Sequence, residues 1–169
     1  LPGVGFWRCT ARPRPDGVQA LELLLVKLDL QCAQAALKLL RRARARIAGR
    51  MMLVAGAGSS STAAAVDKAR LLAELPLDGL LVVTPAYNKP TQEGLFQHFS
   101  AVARAAAAPL IPYNVPGRTC VDMLPATVAR LARIPGISAI KEAQGTVERI
   151  RELLALLPRE FGVLSGDDA

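Results

Sequence analysis

Residues 109–122 read PLIPYNVPGRTCVD, and residues 137–145 read ISAIKEAQG. In each stretch a short apolar run ends in polar residues, Tyr113 and Asn114 in the first and Lys141 in the second. Runs that are apolar throughout are typical of parallel strands that are covered on both faces. In a (β/α)8 barrel the carboxyl ends of such strands meet at one rim, which carries the active site. The two stretches therefore predict a phenol, an amine and, from the turn at Arg118, a guanidinium at one rim.

The chain from residue 51 onward repeats one strand-then-helix unit. The predicted strands are residues 53–55, 80–84, 110–113, 137–140 and 161–164, and the predicted helices are residues 63–75, 92–107, 125–132 and 147–157. Strands that alternate with helices of about ten to fifteen residues indicate βαβ units and a parallel sheet. The predicted fold is α/β, a partial (β/α)8 TIM barrel over residues 51–169, with about five of the eight units recognisable.

Residues 1–50 do not repeat this unit and are predicted to be a separate, atypical basic segment. They hold ten Lys or Arg and three Asp or Glu, a surplus of seven, whereas residues 51–169 hold eleven of each sign. A Pro/Arg-rich start precedes an Ala/Leu/Arg-rich stretch that predicts a helix from about Val18 to Arg46. The basic stretch could bind nucleic acid, but no nucleic-acid motif accompanies it and aromatic residues are sparse. A surplus of arginine without a nucleic-acid partner is favoured.

Composition excludes several classes of protein. No apolar run reaches the roughly 18 residues of a membrane span, because three charged residues interrupt residues 21–30. The apolar run at residues 21–30 lies too far from the start for a secretory signal peptide, and no small-residue cleavage site follows it, so we expect a cytoplasmic protein. The first residue is Leu, and the last, Ala169, comes after a predicted strand and its Gly-Asp-Asp, so we expect a chain cut at both ends. Three widely spaced cysteines form no CxxC pair, so neither a metal site nor a disulfide framework is expected: Cys9, Cys32 and Cys120.

Lys141 is the strongest catalytic candidate on chemical grounds. An amine at the end of an apolar strand is partly desolvated, which disfavours the ammonium form and leaves a nucleophile. The alternative is a structural lysine that pairs with a carboxylate such as Glu142. Tyr113 by itself could be an aromatic residue of a barrel layer, but its neighbours Asn114 and Arg118 favour a place in the site.

Arg118 could be a solvated loop charge or an anion ligand. Its planar fork suits bidentate carboxylate binding, and Gly117 lets the turn bend freely. Two other features have simpler interpretations. His98 falls within a helical pattern and is predicted to be a packing or surface residue. Residues 56–58 read Gly-Ala-Gly, but Ser61 stands where a GxGxxG phosphate loop needs its third glycine.

Five stretches of the chain, in order and at matching spacing, resemble the dihydrodipicolinate synthase family. They are VAGAGSSST, LVVTPAYNKPTQEGLFQHF, PLIPYNVPGRT, LPATVARLARIPGISAIKEAQG and FGVLSGDDA. The resemblance covers residues 52–169, about seven-tenths of the chain. It implies a (β/α)8 barrel in a homotetramer. It also implies a lyase that condenses pyruvate with aspartate 4-semialdehyde in lysine and diaminopimelate biosynthesis, with no cofactor beyond a lysine Schiff base.

The resemblance also implies roles for individual residues. Lys141 matches the lysine that forms the imine with pyruvate. Tyr113 matches the tyrosine that relays protons, and Tyr87 matches one that reaches into the neighbouring subunit's site. Three residues are grouped as substrate-binding: Arg118 for the aspartate-semialdehyde carboxylate, Gly166 for the pyruvate pocket, and Asn114 beside Tyr113.

The sequence departs from the family in places that bear on activity. The family's Gly-Thr-Thr-Gly-Glu loop, whose threonines bind pyruvate and link the tyrosines, is absent: Thr10 is the only threonine before residue 51. The family's eighth strand and C-terminal helices are also absent. Where regulated members bind lysine through Asn, Glu and Tyr, this chain has Ser60, Ala64 and Ala86.

These departures leave three hypotheses open. The chain is an impaired synthase, a catalytically inactive remnant of the family, or a related keto-acid aldolase such as N-acetylneuraminate lyase. The Arg118-Thr119 turn argues against the last, because those relatives usually lack it. The missing threonine loop favours the second for the chain as it stands.

Overall fold

The computed structural model describes residues 4–9, 21–27 and 33–166. Its strands are β1 Val4–Cys9, β2 Leu21–Lys27, β3 Met52–Gly56, β4 Gly79–Val83, β5 Leu110–Asn114, β6 Ala139–Glu142 and β7 Gly162–Ser165. Its helices are α1 Ala33–Ile47, α2 Thr62–Leu72, α3 Gln92–Ala105, α4 Pro116–Thr119, α5 Pro125–Leu131 and α6 Val147–Leu156. The units predicted from residue 51 onward are all present.

The strands form one sheet in which chain order is also spatial order, from β1 to β7. β1 runs antiparallel to β2, and every later pair is parallel. Consecutive parallel strands that are also neighbours must be joined by crossovers in one rotational sense, because such connections are right-handed. This is the winding of a (β/α)8 barrel, so the predicted fold class is confirmed for the strands that the structure describes.

The helix predicted from Val18 to Arg46 is wrong in its first part. Leu21–Lys27 is a strand that pairs with Met52–Gly56, from Leu23 opposite Met52 to Lys27 opposite Gly56. The helix α1 begins only at Ala33. The leucines of β2 favour a helix by intrinsic propensity, but pairing in a sheet overrides so weak a preference. A strand-then-helix unit therefore lies before residue 50, where the sequence predicts none.

Side-chain caps fix where three of the helices begin. The hydroxyls of Ser61, Thr91 and Thr146 accept hydrogen bonds from the backbone amides of Ala64, Gly94 and Arg149, respectively. Each satisfies an amide that lacks a partner in the first turn, which typically contributes about 1 kcal/mol. A fourth helix starts with a proline, Pro125, whose missing N–H costs nothing at that position. Residues 59–62, Ser-Ser-Ser-Thr, precede the predicted helix 63–75, and Ser61 is the one that caps it.

Alternation along the strands separates two buried layers. The layer between sheet and helices takes every second strand residue: Leu53, Ala55, Leu80, Val82, Leu110 and Ile140. The intervening residues form a smaller cluster on the opposite face: Val54, Leu81, Ile111 and Ala139, with Tyr113 and Leu164 packed against it. Because side chains alternate with a period of two, Lys141 lies on the face of Ala139 and Tyr113. The face away from the helices is the face that a barrel turns inward.

His98 and Gly58 are explained by packing. The His98 side chain is 3% exposed, its Nδ1 lies 2.9 Å from the Thr62 hydroxyl, and its ring meets Phe99 edge-on. The prediction of a packing residue is confirmed. A Cβ on Gly58 would lie 2.8 Å from Cγ1 of Val83, so the close approach of β4 accounts for this glycine without a phosphate.

Two negative findings apply to residues 4–9, 21–27 and 33–166 alone. Within these ranges no helix combines the length and the apolar character that a membrane crossing needs. Within the same ranges, no three His, Cys, Asp or Glu side chains lie close enough together to hold a metal ion.

Candidate active site at the ends of β5 and β6

Tyr113 and Lys141 meet at the carboxyl ends of adjacent strands. They are direct register partners on β5 and β6, and both lie on the face away from the helices. The Lys141 Nζ lies 4.6 Å from the centroid of the Tyr113 ring. A cation over an aromatic face is stabilised by about 0.5–2 kcal/mol, more when it is desolvated. The structure thus brings together the two residues on which the predicted chemistry depends.

The Lys141 side chain is enclosed. Only 7% of the residue is exposed, although it ends a strand. The site therefore offers an amine that is shielded from bulk water and held against an aromatic ring. That combination suits covalent attack on a carbonyl carbon.

Arg118 lies in α4, a four-residue helical turn that follows β5 almost directly. The turn is held by Thr119, whose Oγ1 accepts from the Thr84 hydroxyl at 3.2 Å and lies 3.1 Å from the Val115 carbonyl. Cys120 ends the turn in the left-handed region, with φ of 54°. The Arg118 side chain itself is exposed, and no side chain in the described part of the chain pairs with its guanidinium. A fixed backbone thus presents a solvent-facing guanidinium just beyond the end of β5.

Tyr87 is not brought to the Lys141 pair within this chain. It lies in the turn after β4 and is 90% exposed. The neighbouring Asn88 ties this turn to the start of α2, because its Nδ2 donates to the Ser60 carbonyl at 2.9 Å. The result is an aromatic ring that projects from the rim into solvent. Such a ring can contribute to a site only through another chain or a movement of its turn.

Gly166 packs directly against the Tyr113 ring. A Cβ at this position would lie 2.7 Å from the Ala143 Cβ, 3.0 Å from Cε2 of Tyr113 and 3.1 Å from the Glu142 carbonyl oxygen. The Gly166 amide also donates to that carbonyl at 2.7 Å. Real Cβ atoms essentially never approach another atom as closely as the 2.7 Å to the Ala143 Cβ, so any larger residue would displace the ring or the strand end. The structure therefore places Gly166 against the Tyr113 ring, where the missing side chain leaves room for that ring.

Asn114 has a different environment from the one that the sequence predicts. The side chain is completely buried and lies on the helix-facing side of β5. Its Nδ2 donates to Asp122 at 2.9 Å and to the two Glu142 oxygens at 3.0 and 3.1 Å. Its Oδ1 accepts from the Met123 amide at 2.9 Å. These contacts are with the protein, behind the Lys141 pair, rather than with a ligand in front of it.

Three charged residues that lie behind the strands were not assigned to the site from the sequence: Asp122, Glu142 and Arg149. Glu142 is 3% exposed, and burial raises the pKa of its carboxyl, against the lowering effect of hydrogen bonds from Asn114 and the Gln144 amide. Arg149 donates from its two terminal nitrogens to the two oxygens of Asp122, at 3.1 and 2.6 Å. The sequence signals Glu142 by its place after a strand, but nothing local signals an Asp122–Arg149 pair separated by 27 residues.

Glu142 does not pair with Lys141. Its carboxylate partners are Asn114 and Gln144, on the other side of β6 from the amine. Successive strand residues point to opposite faces, so neighbours in sequence are kept apart in space. Among the described residues, the Glu142 carboxylate is therefore bound by Asn114 and Gln144, and the particular pairing of Lys141 with Glu142 is not formed.

Comparison with known proteins identifies the family of this chain. The chain matches the model of the dihydrodipicolinate synthetase family over residues 29–169. It is 51% identical over 133 residues to a 4-hydroxy-tetrahydrodipicolinate synthase of Pseudomonas savastanoi, covering 79% of this chain and 46% of that protein. It is 56% identical over 119 residues to the protein of that name from Geobacter sulfurreducens, covering 70% of this chain and 41% of that protein.

Solved structures of dihydrodipicolinate synthases also superimpose on this chain. The dihydrodipicolinate synthase of Acinetobacter baumannii, crystallised with pyruvate, superimposes with a TM-score of 0.77 at 42% identity, over 83% of this chain and 47% of that one. The enzyme of Bacillus anthracis superimposes with a TM-score of 0.77 at 39% identity, over 80% of this chain and 47% of that one.

The family match begins at residue 29 and so takes in α1 as well as the units from residue 51. The proposed division of the chain at residue 50 stays a prediction. The chain spans about half the length of the curated relatives that it matches. On the strength of the family model, the identity and the shared fold, this chain belongs to the dihydrodipicolinate synthetase family.

Proposed function

We propose that this chain carries the imine-forming lysine of a 4-hydroxy-tetrahydrodipicolinate synthase. The proposed reaction condenses pyruvate with aspartate 4-semialdehyde in lysine and diaminopimelate biosynthesis. One observation carries the proposal: the Lys141 amine is 7% exposed and lies 4.6 Å from the Tyr113 ring centroid at a strand end. A structural relative that is 42% identical to this chain over the superimposed part was crystallised with pyruvate.

The proposed chemistry uses Lys141 as the nucleophile. The amine nitrogen bonds to the keto carbon of pyruvate, and the carbonyl oxygen leaves as water to give an imine. The positively charged imine acidifies the neighbouring methyl group, so loss of one proton gives an enamine. The enamine carbon then bonds to the aldehyde carbon of the second substrate. Finally, the amine of that substrate replaces Lys141 at the imine carbon, which closes the ring and frees the lysine. No cofactor beyond Lys141 is required.

Tyr113 and Tyr87 are proposed to move the protons. A phenol can accept and return a proton if it is held within hydrogen-bond reach of the reacting group. Tyr113 is held beside Lys141, and Gly166 leaves room for its ring. Tyr87 is 90% exposed, as expected of a residue that completes its role in a neighbouring subunit. The proposal therefore includes a homo-oligomer, a tetramer by analogy with the family, in the cytoplasm.

Arg118 is proposed to bind the carboxylate of aspartate semialdehyde. Its guanidinium is exposed on the short helix that follows β5. A planar fork with two parallel donors matches a carboxylate better than a point charge does. The backbone of the turn is fixed by Thr119 and Thr84, so only the side chain has to move on binding.

Trapping with borohydride tests the central step. Incubation with pyruvate followed by reduction should leave an adduct on Lys141, located by peptide mass spectrometry. Lys141→Arg should abolish the adduct, whereas Lys68→Arg and Lys89→Arg should leave it unchanged, because these lysines lie outside the site. An adduct on another lysine of the folded protein, with Lys141 unmodified, contradicts the proposal.

A further inference from the structure

Four polar residues behind the candidate active site form one hydrogen-bonded cluster, which we call the rim cluster: Asn114, Asp122, Glu142 and Arg149. Asn114 is 0% and Glu142 3% exposed. Buried polar groups are costly unless they are fully paired, and fully paired clusters rigidify their surroundings. The rim cluster lies directly behind Tyr113 and Lys141, so what it holds rigid is the candidate site.

The register of β5 and β6 links the cluster to the site. The register consists of two residue pairs, Tyr113 with Lys141 and Asn114 with Glu142. The second pair is also joined through its side chains, at 3.0 and 3.1 Å. Asn114 is one peptide bond from Tyr113, and Glu142 is one peptide bond from Lys141. A shift of Asn114 against Glu142 therefore moves the Tyr113 ring against the Lys141 amine.

The cluster is tied to two further elements. Asp122, in the loop after α4, accepts from Asn114 at 2.9 Å and from Arg149 at 3.1 and 2.6 Å. Arg149, in the first turn of α6, also donates to the Met123 carbonyl at 3.1 Å. Asn114 is thus a neutral donor between two carboxylates, and the guanidinium offsets part of their charge. A carboxylate in place of Asn114 would face the carboxylates of Glu142 and Asp122, and an amide in place of Glu142 would remove the charge that strengthens its hydrogen bonds with Asn114 and the Gln144 amide.

We propose that Asn114 and Glu142 are positioning residues that set the distance and orientation of the Lys141 amine relative to the Tyr113 ring. They act through the strand ends and touch no substrate. The proposed control of the Lys141–Tyr113 geometry rests only on the strand register and the hydrogen bonds of the rim cluster. Its consequence for imine formation rests on the proposed function.

A reciprocal swap tests the proposed control of this geometry without any substrate. The variants are Asn114→Asp, Glu142→Gln and the double variant, in which amide and carboxylate exchange places and the formal charge of the pair is unchanged. The readout is the lysine ε-methylene NMR signal of protein labelled with 13C-lysine. Lys141 should give a signal displaced upfield by the Tyr113 ring, assigned through Lys141→Arg and Tyr113→Leu. Each single variant should lose the displacement, and the double variant should regain part of it.

Pyruvate trapping supplies the second readout. We expect each single variant to lower the maximal trapping rate about tenfold or more, because positioning acts on the reacting geometry rather than on pyruvate capture. The half-saturating pyruvate concentration should change by less than about threefold. The double variant should recover part of the rate. Glu93→Gln is the matched control, since it makes the same change in an exposed pair with Arg130 and should alter neither readout.

The outcomes separate the two proposals. If the wild type shows the upfield Lys141 signal but no pyruvate adduct on Lys141, the proposed function is contradicted. The NMR signals of the variants then still decide whether Asn114 and Glu142 position Lys141. If folded single variants keep the wild-type displacement, or if the wild type shows none, the positioning proposal is overturned. If neither single variant folds, Asp122→Ala decides, because its side chain is 34% exposed. Loss of the displacement in that variant supports the proposal, and an unchanged signal overturns it.

Discussion

Gly166 leaves the space that the Tyr113 ring occupies: a methyl group on Gly166 would lie 3.0 Å from Cε2 of that ring and 2.7 Å from the Ala143 Cβ. The nearest obstacles include a strand neighbour and a backbone carbonyl, which cannot rotate away as a flexible side chain could. A small side chain at this position must therefore move β7 or the ring. Gly166, which has no side chain, therefore determines where the Tyr113 ring can lie.

Gly166→Ala should impair the site more than it impairs the fold. Overpacking of this kind costs about 1–3 kcal/mol of unfolding free energy, and displacement of the Tyr113 ring should lower pyruvate trapping on Lys141 at least about tenfold. Gly117→Ala is the matched control, because nothing lies within 4 Å of a Cβ at that position. Equal trapping rates for the two variants would contradict the proposed role of Gly166.

Turnover by this chain should be negligible even though Lys141, Tyr113 and Arg118 are present. The threonine loop that the family uses to hold pyruvate and to link the tyrosines is not in the sequence. Loss of one positioned donor typically costs a factor of about 10² to 10³, and loss of a whole loop should cost more. Coupled turnover of pyruvate and aspartate semialdehyde measures this, with Lys141→Ala as the control. A rate within about tenfold of an intact family member, abolished by that substitution, would show that other residues rebuild the loop's function.

Lysine should not bind the site that regulated relatives use for feedback. Recognition of an amino acid needs paired polar partners for its ammonium and carboxylate groups. Ser60 could keep one hydrogen bond, but Ala64 has no carboxylate and Ala86 no phenol. Each lost charge-assisted bond is worth about 1.5–3 kcal/mol, so affinity should fall about tenfold or more for each. Titration calorimetry with lysine measures this, and a sub-millimolar dissociation constant would refute the prediction.

The buried residue of α6 should contribute more to the unfolding free energy than an exposed residue of the same helix. Leu153 is 0% exposed, so Leu153→Ala leaves a cavity and should cost about 2–5 kcal/mol of unfolding free energy. Leu156 lies on the same helix but is 51% exposed, and Leu156→Ala should change stability by less than about 1 kcal/mol. Urea unfolding of both variants makes the comparison. Similar losses for both would mean that the outer surface of α6 is covered by something in solution.

His98 should make the fold sensitive to mild acid. Burial lowers the pKa of His98 below its ordinary value of 6.5, and its Nε2 has no hydrogen-bond partner among the described residues. The unfolded chain therefore binds a proton more readily than the folded one. The contribution of His98 to stability is complete above pH 6.5 and is lost as the pH falls toward the lowered folded pKa.

Urea unfolding at several pH values between about 5 and 7.5 tests this, with His98→Gln as the comparison. The wild type should lose unfolding free energy below pH 6.5, and the variant should lose less over the same range. His98 is the single histidine of the chain, so no other imidazole contributes to the difference. Parallel curves for the two proteins would contradict the prediction.

The sequence by itself determined the parts of this protein that depend on neighbours in the chain. Apolar runs located the strands from β3 to β7, and the hydroxyl of Ser61 marked the start of α2. Polar residues that follow strands indicated which end of the sheet carries Tyr113 and Lys141. These features are local because strand burial, helix capping and alternation each act over a few residues.

Only the tertiary structure decided what depends on contacts between distant segments. Leu21–Lys27 is a strand because β3 pairs with it, although its leucines also suit a helix. Asn114 faces Glu142 and Asp122 rather than a ligand, and Arg149 joins them from a helix 27 residues beyond Asp122. Strand register and helix packing set these contacts, and both result from burying the whole sheet at once. No short stretch of sequence holds that information, because each segment is compatible with several partners until the core closes.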